Sequence, residues 1–242
     1  MAVKIPGWLW EQANIAGRGG YVVGISGGID SAVAAKLAVM GVGGGNVRAF
    51  HFPVEKENPL ALAVTNWLGI GLEVCNLSIP YHSLIDELGN RARDRVAWGN
   101  IQARLRMTSL YYMANCYNGL VLGTSNKTEL AIGYFTKYGD GGVDVEPLGD
   151  MYKHQVRGLA VHLGVPTDVI NAAPSAGLWE GQTDEEEIGM SYGQIDQAIT
   201  NSRWANVKEH QWPTVTQLIK INRMMKTSQH KREMPPIYGE RK

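Results

Sequence analysis

The 242-residue chain balances 23 Lys+Arg against 23 Asp+Glu and is 44% hydrophobic and 19% charged, enough apolar material for one sizeable core in a single α/β domain over residues 1–242. Zero net charge gives no global attraction to nucleic acid or membrane, and no run approaches the ~20 apolar residues that span a bilayer. Met1 to Trp10 does not read as a signal peptide, and Cys75 and Cys116 lack metal-ligand spacing, so the expectation is a cytoplasmic protein with buried, reduced thiols.

Along the chain, Tyr21 to Ile25 is a β-branched run entering a glycine loop, and from Ile29 the apolar residues Val33, Leu37 and Met40 recur at helical spacing up to Gly41. A second strand, Val47 to Phe52, ends at Pro53. A helix from about Pro59 to Leu68 stops at Gly69, and a third strand runs from Leu72 to Leu77. Asn100 to Tyr117 reads as one long helix with Ile101, Leu105, Thr108 and Tyr112 along a stripe. Leu120-Val121-Leu122 is a fourth strand opening into Gly123-Thr124-Ser125-Asn126, where Ser125 or Asn126 caps a short helix, Lys127 to Ile132. Tyr152 to Leu163 is helical and closes on Gly164. Ala173 to Glu187 has no apolar period and reads as a mobile loop, followed by helices at Tyr192 to Asn201 and Thr214 to Lys226. Alternating strands and helices predict a three-layer, Rossmann-like parallel sheet with helices on both faces.

The chemistry-bearing loop is Gly24-Ile25-Ser26-Gly27-Gly28-Ile29-Asp30-Ser31, at the carboxyl end of the first strand and the start of a helix. Its glycines let backbone N–H groups approach phosphate oxygens, the helix end adds positive potential, and Ser26 and Ser31 add hydroxyl donors. Asp30 beside phosphates is repulsive unless a cation lies between them, which implies Mg²⁺. The position before Ser31 is Asp, so this is not a Walker loop, and the dinucleotide G-x-G-x-x-G pattern is absent. Serine-glycine-glycine-x-aspartate-serine is instead similar to the loop of ATP pyrophosphatases, which cleave ATP between its α and β phosphates and adenylate a substrate.

Further segments narrow the resemblance: Gly123 to Glu129, Gly133 to Asp144, Pro147-Leu148 before Tyr152-Lys153, Pro174 to Glu185, Ile188 to Tyr192, and His230-Lys231-Arg232. Together, over about Tyr21 to Pro236, the chain resembles the NAD synthetase family in its ammonia-dependent form. The resemblance implies the adenine nucleotide alpha hydrolase-like fold and ATP, Mg²⁺, ammonia and deamido-NAD as reaction components. The nicotinate carboxylate attacks the α-phosphate of ATP, releasing pyrophosphate, and ammonia then displaces AMP to form the amide. Residue by residue, Gly24, Ile25, Ser26, Gly27, Gly28, Ile29, Asp30 and Ser31 match the family's ATP loop, with Thr124, Lys153 and Ser175 as further ATP contacts. Asp30 and Glu129 match its two metal carboxylates, and Asp30 and Lys153 are the catalytic candidates. Arg104, Lys137, Asp144, His230 and Lys231 match positions that hold the deamido-dinucleotide. Outside the motif context, Arg104, Arg106 and Lys231 would read as solvated charges, and Tyr134, Phe135 and Tyr138 fit either an ordinary core or a stacking or dimer contact.

With only 23 residues before Gly24, no N-terminal glutamine-hydrolysing domain is expected, so free ammonia is the expected donor, with a separate glutaminase left open. The resemblance also implies a homodimer in which the long helices meet, and loops around Tyr81 to Asn90 and Asp184 to Glu187 that order over nucleotide. Neither His51 nor His82 has ligand spacing, and neither receives a role. The rivals are another ATP pyrophosphatase, acting on xanthosine monophosphate or on tRNA, and a silent nucleotide sensor on the same fold.

Overall fold

The computed structural model describes residues 4–89, 94–179, 181–200 and 212–238. Four strands, β1 (Gly20–Gly24), β2 (Val47–His51), β3 (Leu72–Val74) and β4 (Gly119–Leu122), form a sheet of order β3-β2-β1-β4 in which every neighbouring pair is parallel. The order follows from the sequence of crossovers. The chain steps outward from β1 to β2 and β3, then returns across the sheet to lay β4 on the other side of β1. That reversal opens a crevice between the carboxyl ends of β1 and β4, where open α/β sheets bind ligands.

The central strands β1 and β4 and most of β2 are buried on both faces, so their side chains alternate between two cores, whereas β3 at the sheet edge is largely exposed. Tyr21 and Val23 point to one cluster, built with α1 (Lys4–Ile15), α2 (Ile29–Val42), α3 (Pro59–Leu68) and α7 (Lys153–Leu163). Val22 points to the other, where Phe50, Val121 and the inner side of α5 (Arg95–Cys116) meet. The α2 helix is apolar on nearly every side because it lies between the sheet and α1. A third cluster of Ile132, Ile188, Met190, Tyr192, Ile195 and Ile221 joins α6 (Lys127–Ile132), α9 (Asp184–Ile188), α10 (Tyr192–Thr200) and α11 (Val215–Thr227). The Tyr21 hydroxyl donates to the Leu9 carbonyl at 2.7 Å, tying β1 to α1. Burial pushes that phenol up to about 12.

Several boundaries differ from the sequence expectation. The α1 helix and α4 (Ser78–Leu88) were not anticipated, and α4 occupies most of the segment expected to be a loop at Tyr81–Asn90. Asn90 itself lies outside the described residues, as does Asn201, the expected end of the helix that starts at Tyr192. The third strand is only three residues long. Within the expected Ala173–Glu187 loop, Thr183 caps a helical turn, accepting from the Glu186 amide at 3.4 Å. Two short helices were also missed, α8 (Thr167–Asn171) and α12 (Gln229–Arg232). The long helix starts five residues early because Asp94 caps it, accepting from the Val96 amide at 2.9 Å. The expectation of two buried thiols is corrected: Cys75 is only half-buried and Cys116 is exposed, at the last turn of α5 facing away from both cores.

Candidate active site

The loop between β1 and α2 is shaped by its own serines and by a histidine from the next strand. Ser26 accepts from the Gly28 amide at 3.1 Å and lies 3.2 Å from the Ser31 hydroxyl, which donates to the Gly28 carbonyl at 2.9 Å. Gly27 has φ +86°, and a Cβ there would sit 2.7 Å from the Asn58 side-chain nitrogen, so only glycine fits without displacement. Asn58, which caps α3, donates to the Ser26 carbonyl at 2.8 Å. His51, left without a role in the sequence reading, ends β2 beside this loop. Its Nδ1 lies 2.8 Å from the Ile25 carbonyl and its Nε2 accepts from the Asn58 amide at 3.2 Å. One ring nitrogen must donate and the other accept, so the bridge needs a neutral imidazole protonated on Nδ1. A histidine ending the strand next to the loop was the available signal.

Asp30, Glu129 and Lys153 converge across the crevice. The Lys153 ammonium lies 2.5 Å from Asp30 and 3.2 Å from Glu129, and its side chain is only 4% exposed. Asp30 also accepts from the Asn126 side chain at 3.0 Å. Asn126 and Glu129 form a reciprocal capping box at the start of α6, which fixes the Glu129 carboxylate at the mouth of β4. Burial pulls the Lys153 ammonium down, but Asp30 and Glu129 more than offset it, so its pKa is raised above the ordinary lysine value and it stays charged. Burial raises the Glu129 carboxyl, and the ammonium opposes that rise. A lysine holding two carboxylates apart is an arrangement that can neutralise anionic oxygens as they approach.

A second layer of polar groups stands behind these three. The Tyr192 hydroxyl lies 3.0 Å from Glu129 and 2.9 Å from Asp184. One hydroxyl proton cannot serve two anions at once, and burial raises the Asp184 carboxyl toward its protonated form. Asp184 also accepts from the Ala176 amide at 3.1 Å, which ties the segment after Ser175 to the cluster. Ser175 itself is exposed, with its hydroxyl accepting from the Gly177 amide at 3.1 Å. From the other side, Gln102 and Arg106 of α5 donate to the Leu178 and Gly177 carbonyls at 3.0 and 3.4 Å. Thr124 lies half-buried two residues after the end of β4. Below it, a Cβ on Gly123 would sit 2.3 Å from the Glu146 carboxylate. Glu146 accepts from the Ser125 amide at 3.1 Å, and burial pushes its carboxyl up to about 8.

Of the five residues assigned to the dinucleotide, three are gathered. The Arg104 Nε donates to the Lys137 carbonyl at 3.2 Å, and the Lys137 ammonium donates to the His230 carbonyl. Lys231 reaches the Gly133 and Phe135 carbonyls at 2.8 and 2.7 Å. Asp144 makes its hydrogen bonds elsewhere, accepting from the Tyr111 hydroxyl at 2.9 Å and the Val121 amide at 2.8 Å. Phe135 is buried and Tyr138 exposed, so the aromatic group divides between core and surface. Met107, Thr108, Tyr111, Tyr112, Asn115, Tyr138 and Gly142 line an open groove of about 520 Å³. The stripe of Ile101, Leu105, Thr108 and Tyr112 lies on the outer side of α5, whereas Ala103, Met107, Leu110 and Ala114 face the core.

Asp30 and Glu129 fit a hard divalent cation, since a nucleotide-bound Mg²⁺ takes one or two carboxylates and completes its shell with phosphate oxygens and water. Among the described residues no group of three or more His, Cys, Asp or Glu side chains is placed to hold a metal unaided. Nor is any described helix long and apolar enough to cross a membrane.

The family model described as NAD synthase matches residues 2–235. A relative from Methanosarcina mazei, described as NH(3)-dependent NAD(+) synthetase, is 39% identical over 97% of this chain and 95% of its own. Among solved structures, NMN synthetase from Francisella tularensis superposes with a TM-score of 0.89 at 36% identity, covering 99% of this chain and 97% of that one. An NH3-dependent NAD synthetase from Campylobacter jejuni gives 0.81 at 28%, covering 98% and 97%. The chain belongs to the NAD synthase family, as a ligase that forms NAD from deamido-NAD and ammonia through an adenylate on a Rossmann-like parallel sheet.

Proposed function

We propose that Lys153, Asp30 and Glu129 form the centre of this ligase, and the single observation carrying that reading is the buried ammonium held between two carboxylates at the carboxyl ends of β1 and β4. The loop Gly24–Ser31 receives the ATP phosphates on its amides and on the Ser26 and Ser31 hydroxyls, with Thr124 and Ser175 as further ATP contacts. Asp30 and Glu129 hold Mg²⁺, which when bound supplies positive charge to the phosphate oxygens. Lys153 adds its own charge where negative charge grows as a nicotinate carboxylate oxygen bonds to the α-phosphorus and pyrophosphate departs. Ammonia then attacks the carbonyl of that mixed anhydride. The carbon–oxygen bond breaks, AMP leaves with the former carboxylate oxygen, and the amine sheds one proton to give the amide.

Arg104, Lys137, His230, Lys231 and Asp144 hold the dinucleotide. The gathering of Arg104, Lys137 and His230 supports the grouping, and Asp144 keeps acceptor capacity beside its two bonds. The outer face of α5 and its groove form the contact of a homodimer, and the reaction takes place in the cytoplasm on free ammonia or on ammonia from a separate glutaminase. A second reading, favoured by the likeness to the Francisella NMN synthetase, is that the site also amidates the mononucleotide acid. Parallel assays with ATP, Mg²⁺ and ammonium test both. Deamido-NAD should give NAD, AMP and pyrophosphate in equal amounts, and a higher kcat/KM for nicotinate mononucleotide would favour the second reading. Turnover with xanthosine monophosphate and none with either nicotinate acid would overturn both.

A further inference from the structure

We propose that Asp196 of α10 is a positioning residue for Lys153, acting through the first two amides of α7; the inference rests on the reading of Lys153 given above. The start of a helix leaves N–H groups without partners inside the helix. In α7 these belong to Lys153 and His154, and neither is satisfied by the preceding residue. The Lys153 amide donates to the Thr128 hydroxyl oxygen at 3.0 Å, and that hydroxyl donates in turn to Asp196. The His154 amide donates to the other Asp196 oxygen at 3.2 Å, and the His154 ring Nδ1 lies 2.8 Å from the same oxygen. Thr128 and Asp196 are both 0% exposed. A fully buried carboxylate from a different helix therefore caps α7 at the residue whose side chain enters the site.

The geometry explains why this matters to the chemistry. Lys153 is the first residue of α7, so its ammonium height above Asp30 and Glu129 is set by where that first turn begins. The negative Asp196 complements the positive helix end and satisfies donors that burial would otherwise leave unpaired. Four residues earlier on α10, Tyr192 reaches Glu129 from the same helical face. One helix thus braces both members of the Lys153–Glu129 pair, the lysine through its backbone and the carboxylate through a hydroxyl. A shift of about 1 Å in a catalytic group costs on the order of 10²-fold in rate.

The test is a double-mutant cycle read by single-turnover AMP formation, with ATP binding and thermal unfolding measured alongside. Asp196→Asn should lower the rate about 10²-fold while ATP affinity stays within a few-fold of wild type. In a Lys153→Met background the same change should cost almost nothing further. Thr128→Val, which keeps the volume and removes both hydrogen bonds, should reproduce the rate loss, and Thr128→Ser should restore it. If Asp196→Asn does not fold, the Thr128 pair completes the cycle. An equal factor in both Lys153 backgrounds, or loss of rate in step with loss of ATP binding, would show a purely structural residue and overturn the inference. A Lys153→Met variant that itself turns over at the wild-type rate would instead remove the assignment of Lys153.

Discussion

Replacing Lys153 by Met keeps the side-chain stem and deletes the charge that separates Asp30 from Glu129. The ammonium sits 2.5 and 3.2 Å from the two carboxylates with its side chain 4% exposed, so the partners left behind are mostly buried anions facing one another. Removing one member of a buried ion pair costs about 3–5 kcal/mol, against a total stability of roughly 5–15 kcal/mol for a domain, so the variant folds but is weakened. The sign of the pH dependence follows from Glu129. Burial raises its folded value above the unfolded one, and Lys153 is the largest influence opposing that rise. Without the lysine the rise grows. A carboxyl raised in the folded state contributes most below its unfolded value, and that contribution is lost as pH climbs through the folded value. The stability deficit of Lys153→Met should therefore be small near pH 5 and large near pH 8. Catalysis should fall independently by about 10²–10³, the cost of losing one preorganised charge aimed at a transition state. Urea unfolding of wild type and variant at both pH values, with AMP release at pH 8, reads both effects. A deficit unchanged between pH 5 and pH 8 would refute the electrostatic account, and near wild-type AMP release would refute the catalytic one.

Glu146→Gln tests the buried carboxyl under β4. With its folded value pushed up to about 8, wild type loses stability as pH rises from the ordinary carboxylate range through 8, and the variant should lack that loss and melt at higher temperature than wild type at pH 8.5. Thermal melts of equal slope across that window would discount it. Gly27→Ala forces a side chain into a left-handed conformation and onto Asn58, so it should cost about 1–2 kcal/mol of stability and weaken ATP binding. Calorimetric titration with ATP and urea unfolding check both parts. Lys137→Ala releases the His230 carbonyl and removes a cation from the dinucleotide group, so KM for deamido-NAD should rise while ATP affinity is held. A selective loss of ATP binding would contradict that assignment.

The parallel sheet was legible because buried strands announce themselves as short apolar runs, and Tyr21 to Ile25 and Leu120 to Leu122 both do. The α1 helix was missed because its apolar residues do not keep to one stripe, Trp10 and Ile15 being exposed while Leu9 and Ala13 are buried, and Pro6 falls in its first turn, where proline is tolerated. The α4 helix was missed for a related reason: it buries only Tyr81, so its apolar period is faint. In the site, Asp30, Glu129 and Lys153 are far apart in sequence and carry no mutual periodicity, and the motif resemblance placed them together before the geometry did. The groups that hold them were not legible. His51, Asp184, Tyr192 and Asp196 act through hydrogen bonds across the fold, and nothing in their local spacing separates them from ordinary core or surface residues. Asp184 in particular falls in the Ala173 to Glu187 stretch that reads as a mobile loop, yet its side chain turns inward to two tyrosine hydroxyls while Glu185 and Glu186 stay exposed.

The central claim is that the carboxylate itself becomes bonded to the α-phosphorus at Lys153 before ammonia arrives. Deamido-NAD labelled with ¹⁸O in both carboxylate oxygens, turned over with ATP and ammonium, follows that oxygen directly. The account predicts one labelled oxygen in AMP and one retained in the amide of NAD, read by mass spectrometry. AMP without label would mean that the carboxylate never attacked the α-phosphate, and the adenylation mechanism built on Asp30, Glu129 and Lys153 would fall.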